Sequence, residues 1–165
     1  MALILTSPDF NDGDYLDAKH ILSEAYGFGC AGGNTSPALK WEDPPEGTKS
    51  FTLTMYDPDA PTGSGFWHWL VCNIPADCRE LPAGIGVAAE LPAGAIESAS
   101  DFGAPGYGGP CPPEGDHPHR YVFSLHAVGG EVQVQVAAET PAAQVGFQLH
   151  FGTIEKATLM GLCKR

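Results

Sequence analysis

Positive charge is scarce in this sequence. Its 165 residues carry eight lysines and arginines against twenty aspartates and glutamates, a formal net charge of -12. Such a field repels phosphate backbones and anionic bilayers, which excludes nucleic acid and membrane surfaces as general partners. Any bound anion must be held by local donors, against the charge of the whole molecule. Long apolar runs are also missing. No segment approaches the roughly twenty residues a membrane-spanning helix needs, so no stable membrane insertion is expected. The apolar start, residues 1–5, is short and gives way to Pro8, Asp9, Asp12 and Asp14, so no secretory leader is expected. Cysteine is limited to Cys30, Cys72, Cys78, Cys111 and Cys163, an odd number without the paired spacing of a zinc site. A cytoplasmic protein with reduced thiols is expected. Were the chain exported, Cys72 and Cys78 would be the pair to bridge.

Hydrophobic residues make up 43% of the chain, which excludes disorder, and the length suits a single domain over residues 1–165. Glycine (21) and proline (15) are frequent, and densest between residues 75 and 118, a punctuation that suits strands and structured loops. Residues 2–6 form a first candidate strand. Phe51, Leu53 and Met55 alternate with Thr52, Thr54 and Tyr56, the period of a half-buried strand. Residues 68–74 are mostly apolar, as in a central strand covered on both faces. Residues 120–128 and 157–163 complete the main set, and Val132, Val134 and Val136 alternate with polar neighbours after the Gly129-Gly130 turn. The best helix follows Thr140 as N-cap, with Pro141 in its first position, Val145, Gln148 and Leu149 at helical spacing, and Gly152 at its end. A short helical turn is predicted within residues 14–25. The fold class is therefore mainly β, with two packed sheets and one or two helices. Glu-Leu-Pro-Ala-Gly occurs at residues 80–84 and 90–94, two copies of one turn chemistry within a long excursion.

Chemistry concentrates in two separated stretches. The first is Asp57-Pro58-Asp59-Ala60-Pro61, followed by Phe66-Trp67-His68-Trp69. Its prolines fix φ and stiffen the turn around Asp57. The second runs through Tyr107-Gly108-Gly109-Pro110-Cys111-Pro112-Pro113 to His117-Pro118-His119-Arg120-Tyr121. Strand alternation sends His68 to one face of its sheet and Trp67 and Trp69 to the other, and puts His119 and Tyr121 on a shared face with Arg120 pointing away. Together the stretches predict a small polar pocket walled by Asp, His and Tyr. Asp57 would orient and charge His68 or His119, the charged ring would donate to an anion, and Tyr121 and loop amides would add donors. As a metal site the same groups lack a close ligand pair, and no metal or cofactor is expected. Cys111, near histidines in a Gly/Pro loop, is weighed as a nucleophile and favoured instead as a small residue in a tight turn.

These residues resemble the phosphatidylethanolamine-binding protein family, also called Raf kinase inhibitor protein-like, and its bacterial and archaeal branch in particular. The blocks Gly33-Asn34-Thr35-Ser36-Pro37-Ala38-Leu39-Lys40-Trp41, residues 57–61, Trp67-His68-Trp69, residues 108–113 and His119-Arg120-Tyr121 carry the likeness, with Val145-Gly146-Phe147-Gln148-Leu149-His150-Phe151 near the end. The resemblance implies a large central antiparallel sheet packed on a smaller one, with peripheral helices. It implies an anion pocket for phosphate-like or carboxylate groups at Asp57, His68, His119 and Tyr121, with backbone from residues 110–112. Cys111 joins the ligand-binding set, while Asp59, Pro61, Pro110 and Pro112 shape the pocket. The expected function is non-enzymatic binding of a small anionic ligand, whether a lipid headgroup, a small phosphorylated molecule or a phosphorylated protein residue. Kinase regulation by way of a protein partner, and a homodimer, accompany that expectation. A hydrolase or isomerase using the Asp-His-Tyr group, and a module acting through its surface, are the alternatives.

Overall fold

The computed structural model describes residues 1–165. Eight strands, one α-helix and two 3₁₀ turns follow in chain order: β1 (Ile4–Thr6), the turns Ala18–His20 and Glu24–Tyr26, β2 (Leu39–Glu42), β3 (Thr48–Asp57), β4 (Phe66–Pro75), β5 (Glu80–Leu81), β6 (Ile96–Glu97), β7 (His119–Gly129), α1 (Ala142–Gly152) and β8 (Thr153–Cys163). A five-stranded antiparallel sheet in the order β6-β4-β3-β7-β8 faces a three-stranded sheet, β1-β2-β5. The mainly β architecture with two sheets and few helices is as expected. Phe51, Leu53 and Met55 of β3 and Tyr121, Phe123 and Leu125 of β7 pack from the large sheet against Leu5, Leu39, Trp41 and Leu81 of the small one, in one buried cluster. On the other face α1 lays Ala142, Val145 and Leu149 over Leu70, Cys72 and Val128. β4 is thus covered twice, as its uninterrupted apolar run requires.

Three expectations are corrected. First, residues 132–136 form no strand. Val134 is buried beneath α1, and the backbone of Gln135 is satisfied by the Gln148 side chain, whose Oε1 accepts at 2.6 Å and whose Nε2 donates at 3.0 Å. A helix side chain thus takes the place of a neighbouring strand. Second, α1 is capped one residue late. Pro141 is the N-cap, and Thr140 Oγ1 instead accepts from the Ala137 N–H at 2.9 Å. Third, Trp67 and Trp69 do not share a face. The β3–β4 register passes from Met55↔Trp69 to Tyr56↔Trp67, so His68 is an extra residue. This bulge sends Trp69 into the main core and Trp67 to the helix side. It also leaves His68 on the core side, where its ring meets that of Tyr121 at 5.2 Å.

Candidate functional site

The two separated stretches converge. Asp57 ends β3, His119 begins β7, Tyr121 lies two residues on, and the β4 bulge turns His68 toward both. The four residues line one cavity of about 160 Å³. Ala60, Pro61 and Thr62 form one wall, and Phe66, Phe102, Phe28 and Leu22 form an apolar collar. Cys111, Pro112 and Pro113 lie over it. Asp59 and Pro110 stand outside the lining. The Asp59 carboxylate accepts from the Arg120 N–H and forks with its guanidinium at 2.9 and 3.0 Å, which ties the stiff turn to β7. That hydrogen-bonded guanidinium holds the Asp59 carboxyl down at about 2. The Pro110 carbonyl accepts from the Leu22 N–H at 3.0 Å. His117 is exposed, with its Nδ1 turned to its own chain at the Pro118 carbonyl.

The roof is placed by contacts that exclude side chains. A Cβ on Gly108 would meet Phe102 at 2.2 Å, and one on Gly109 would meet the His20 carbonyl at 2.2 Å. Asn34 explains its place in the Gly-Asn-Thr-Ser-Pro block. Its Nδ2 donates to the Tyr107 carbonyl at 3.1 Å and its Oδ1 accepts from Gly109 N–H at 2.8 Å. From the chain's end, Arg165 Nε donates to the Pro112 carbonyl at 2.7 Å. A disulfide joins Cys30 to Cys111 across a Cα–Cα distance of 6.0 Å, while Cys72, Cys78 and Cys163 are free. The expectation of uniformly reduced thiols is corrected, as is the Cys72–Cys78 pairing. The bridge also takes Cys111 out of consideration as a nucleophile, since its sulfur is spent.

Of the two histidines that Asp57 was expected to orient and charge, the structure selects His119, and that ring has no N–H left over for an anion. Asp57 partners His119 and not His68: His119 Nδ1 lies 2.7 Å from Asp57 Oδ2, and His119 Nε2 lies 2.9 Å from Asp116 Oδ2. Burial alone would lower the His119 pKa, but the two carboxylate hydrogen bonds and their charges outweigh it, and the ring is held protonated above its ordinary range. Both of its N–H groups are therefore occupied. His68 is the reverse. Its Nδ1 donates to the Gly108 carbonyl at 2.7 Å, and burial pushes its imidazole down to about 4 despite that bond and the nearby Asp57 charge. It is neutral at pH 7, with Nε2 unpartnered within the chain. Burial and the Asp57 charge raise the Tyr121 hydroxyl, which stays protonated. Of the loop amides, Gly108 donates to His68 and Gly109 to Asn34, and prolines have none, so Cys111 N–H is the one left unpaired in residues 108–113. No cluster of three His, Cys, Asp or Glu side chains is arranged to hold a metal ion. Sequence reasoning missed Asp116, whose place three residues before His119 was the available signal, and Phe102, which carries none.

The histidines make opposite contributions to stability. His119, raised in the fold, stabilises fully below about pH 6.5 and loses that contribution as pH rises through its folded value. His68 and His126, both pushed by burial down to about 4, contribute fully above about pH 6.5 and lose it as pH falls toward 4. Urea unfolding midpoints are expected to peak near neutrality and to fall on the alkaline side. His119→Gln is expected to flatten the alkaline limb alone. An alkaline limb unchanged by that substitution would assign it elsewhere.

Residues 6–164 match the family model described as phosphatidylethanolamine-binding protein. The chain is 48% identical to YbcL of Escherichia coli over 160 residues, covering 96% of this chain and 85% of that one. It is 46% identical to YbhB of the same organism, covering 96% and 98%. The crystal structure of YbcL, described as a new member of the mammalian family, superposes with a TM-score of 0.94 at 45% identity, over 100% of this chain and 99% of that one. A homolog from Chlamydia trachomatis gives a TM-score of 0.80 at 28% identity, over 99% and 98%. No helix is long and apolar enough to cross a membrane.

Proposed function

Since this chain belongs to the phosphatidylethanolamine-binding protein family, whose fold supports ligand binding in general, we propose that its cavity binds the oxyanion of a small phosphorylated or carboxylated ligand. The observation that carries this reading is the unpartnered Nε2 of His68, in one cavity with the Tyr121 hydroxyl and beside the unpaired Cys111 N–H. The cavity lining offers no free cation, because His119 is saturated by Asp57 and Asp116. An oxyanion therefore needs a proton between itself and His68, taken from solvent or carried by the ligand. Once present, that proton sits in a charge-assisted hydrogen bond, stronger than a neutral one. A lipid headgroup, a phosphate ester and a phosphorylated side chain of a partner protein offer the same chemistry. The Cys30–Cys111 bridge supports an oxidising compartment.

Inorganic sulfate is the cleanest probe, because its own ionisation does not change between about pH 5 and 7. Its affinity is expected to rise close to tenfold for each unit of pH decrease in that window, with one proton taken up per anion bound. His68→Gln supplies a permanent donor and is expected to bind with little pH dependence. Calorimetry in buffers of different ionisation enthalpy reads both quantities. A flat profile in the unaltered protein would defeat the protonation argument. The neutral Nε2 also favours a second reading, His68 as a general base. Turnover of a phosphate or acyl ester that disappears in His68→Gln would decide for it.

A further inference from the structure

A second concavity lies on the opposite face of the large sheet, between its outer surface and α1. Its volume is about 640 Å³, within the range of small-molecule sites. β7 separates the two sites by alternation: Tyr121 faces the cavity, whereas Val122, Ser124 and His126 face the groove. No aspartate or glutamate lines it, in a chain with twenty of them. Lys156 does, opposite His126 in the β7–β8 register, and its ammonium makes no ion pair. His126 Nδ1 is engaged by Thr153 Oγ1 at 3.0 Å, and the ring is pushed down to about 4 by burial and the Lys156 charge.

Two further features of the lining bear on what the groove can take. Thr54 is 2% exposed, yet its hydroxyl forms no hydrogen bond within the chain while lining the groove. That hydroxyl is open to the groove and not sealed within the sheet, so it is free to donate to a bound molecule. Gly146 sits within α1 and also lines the groove, and a Cβ there would meet nothing within 4 Å. Internal packing therefore does not ask for glycine at a position where it weakens a helix. Close approach by a bound molecule would. One wall is aromatic: Trp67, turned to this side by the β4 bulge, packs at a tilt of 44° against Tyr56, with 4.5 Å between ring centroids.

We propose that this groove is a second binding site, for a small aromatic oxyanion. The ring lies against Tyr56 and Trp67 and over Gly146, and the anion reaches the Lys156 ammonium and the Thr54 hydroxyl. Benzoate and phenyl phosphate are the probes, with benzyl alcohol as the uncharged comparison, followed by amide and side-chain NMR shifts of the full chain. Benzoate or phenyl phosphate is expected to bind with a dissociation constant below about 1 mM, shifting Thr54, Ser124 and Gly146, while benzyl alcohol binds at least tenfold more weakly. Whichever of the two anions binds more tightly identifies the carboxylate or the phosphate as the native chemistry. Lys156→Gln is expected to cost tenfold or more. Gly146→Ala is expected to weaken binding comparably while raising the urea midpoint, a combination that a merely structural glycine does not produce. Sulfate binding in the His68 cavity is expected to be unchanged in both variants. Shifts confined to Phe102 and Tyr121, equal binding of all three probes, no binding, or full affinity in Gly146→Ala would each overturn the proposal.

Discussion

Breaking the Cys30–Cys111 bridge is expected to remove about 4 to 5 kcal/mol of unfolding free energy. The bridge closes a loop with a sequence separation of 81, and a chain-entropy estimate for that length gives this cost. Against a typical total of about 5 to 15 kcal/mol, the loss is large. It need not unfold the native state. The pocket roof keeps Asn34 on Gly109, the Pro110 carbonyl on Leu22 N–H, and Arg165 on the Pro112 carbonyl. What it loses is the covalent tie between the roof and the segment that carries Phe28, one of the cavity's lining residues. Urea unfolding of Cys30→Ser, and of the unaltered protein with and without reductant, reads the stability. The sulfate titration reads the cavity, whose affinity is expected to fall in the same variant. The other three cysteines serve as the internal control: Cys72 and Cys163 are buried, and burial pushes Cys72 up to about 11. Coincident unfolding curves for oxidised and reduced protein would remove the bridge from the stability argument.

The sheet was legible because its strands announce themselves by period. Phe51, Leu53 and Met55 face the core as their alternation demands, and the apolar run of β4 is buried on both sides. Alternation failed where geometry departs from regular pleating. The bulge at His68 placed the two tryptophans on opposite faces, and nothing in Trp-His-Trp announces an extra residue. It failed again at residues 132–136, where a correct hydrophobic period met a helix side chain in place of a neighbouring strand. Which residues converge at the cavity was legible from their types and from the family likeness. Their protonation was not. An Asp-His pair in sequence cannot say which histidine the carboxylate reaches, and that choice depends on a contact between residues 57 and 119. The cysteines show the same limit more sharply. Cys30 and Cys111 are distant in the chain, while of the nearer pair Cys72 lies in β4 and Cys78 in the loop that follows it, and the two stay unbridged.

Asp57→Ala is expected to destabilise the protein by about 3 to 5 kcal/mol, the cost typical of removing one partner from a buried ion pair. Asp57 is buried and accepts twice, from His119 Nδ1 at 2.7 Å and from the Asp59 N–H at 2.8 Å. Without it, the His119 ring, 1% exposed, keeps only the half-open Asp116 carboxylate and must either remain charged at high cost or release its proton. The second course is cheaper, so the alkaline decline in stability assigned to His119 is expected to vanish in this variant. Asp57→Asn preserves shape and one acceptor and is expected to lose less. Because the penalty arises from a stranded partner, it depends on that partner being present. In a double-mutant cycle with His119→Gln, the combined loss is expected to fall short of the sum of the single losses by about 1 to 3 kcal/mol. Strict additivity would mean that the two side chains act independently, and that Asp57 serves the turn at Asp59 instead of the charge on His119. Sulfate titration of the same variants separates architecture from recognition. If Asp57 acts through His119 and the turn, Asp57→Asn keeps most of the affinity that Asp57→Ala loses, while the pH slope set by His68 persists in both.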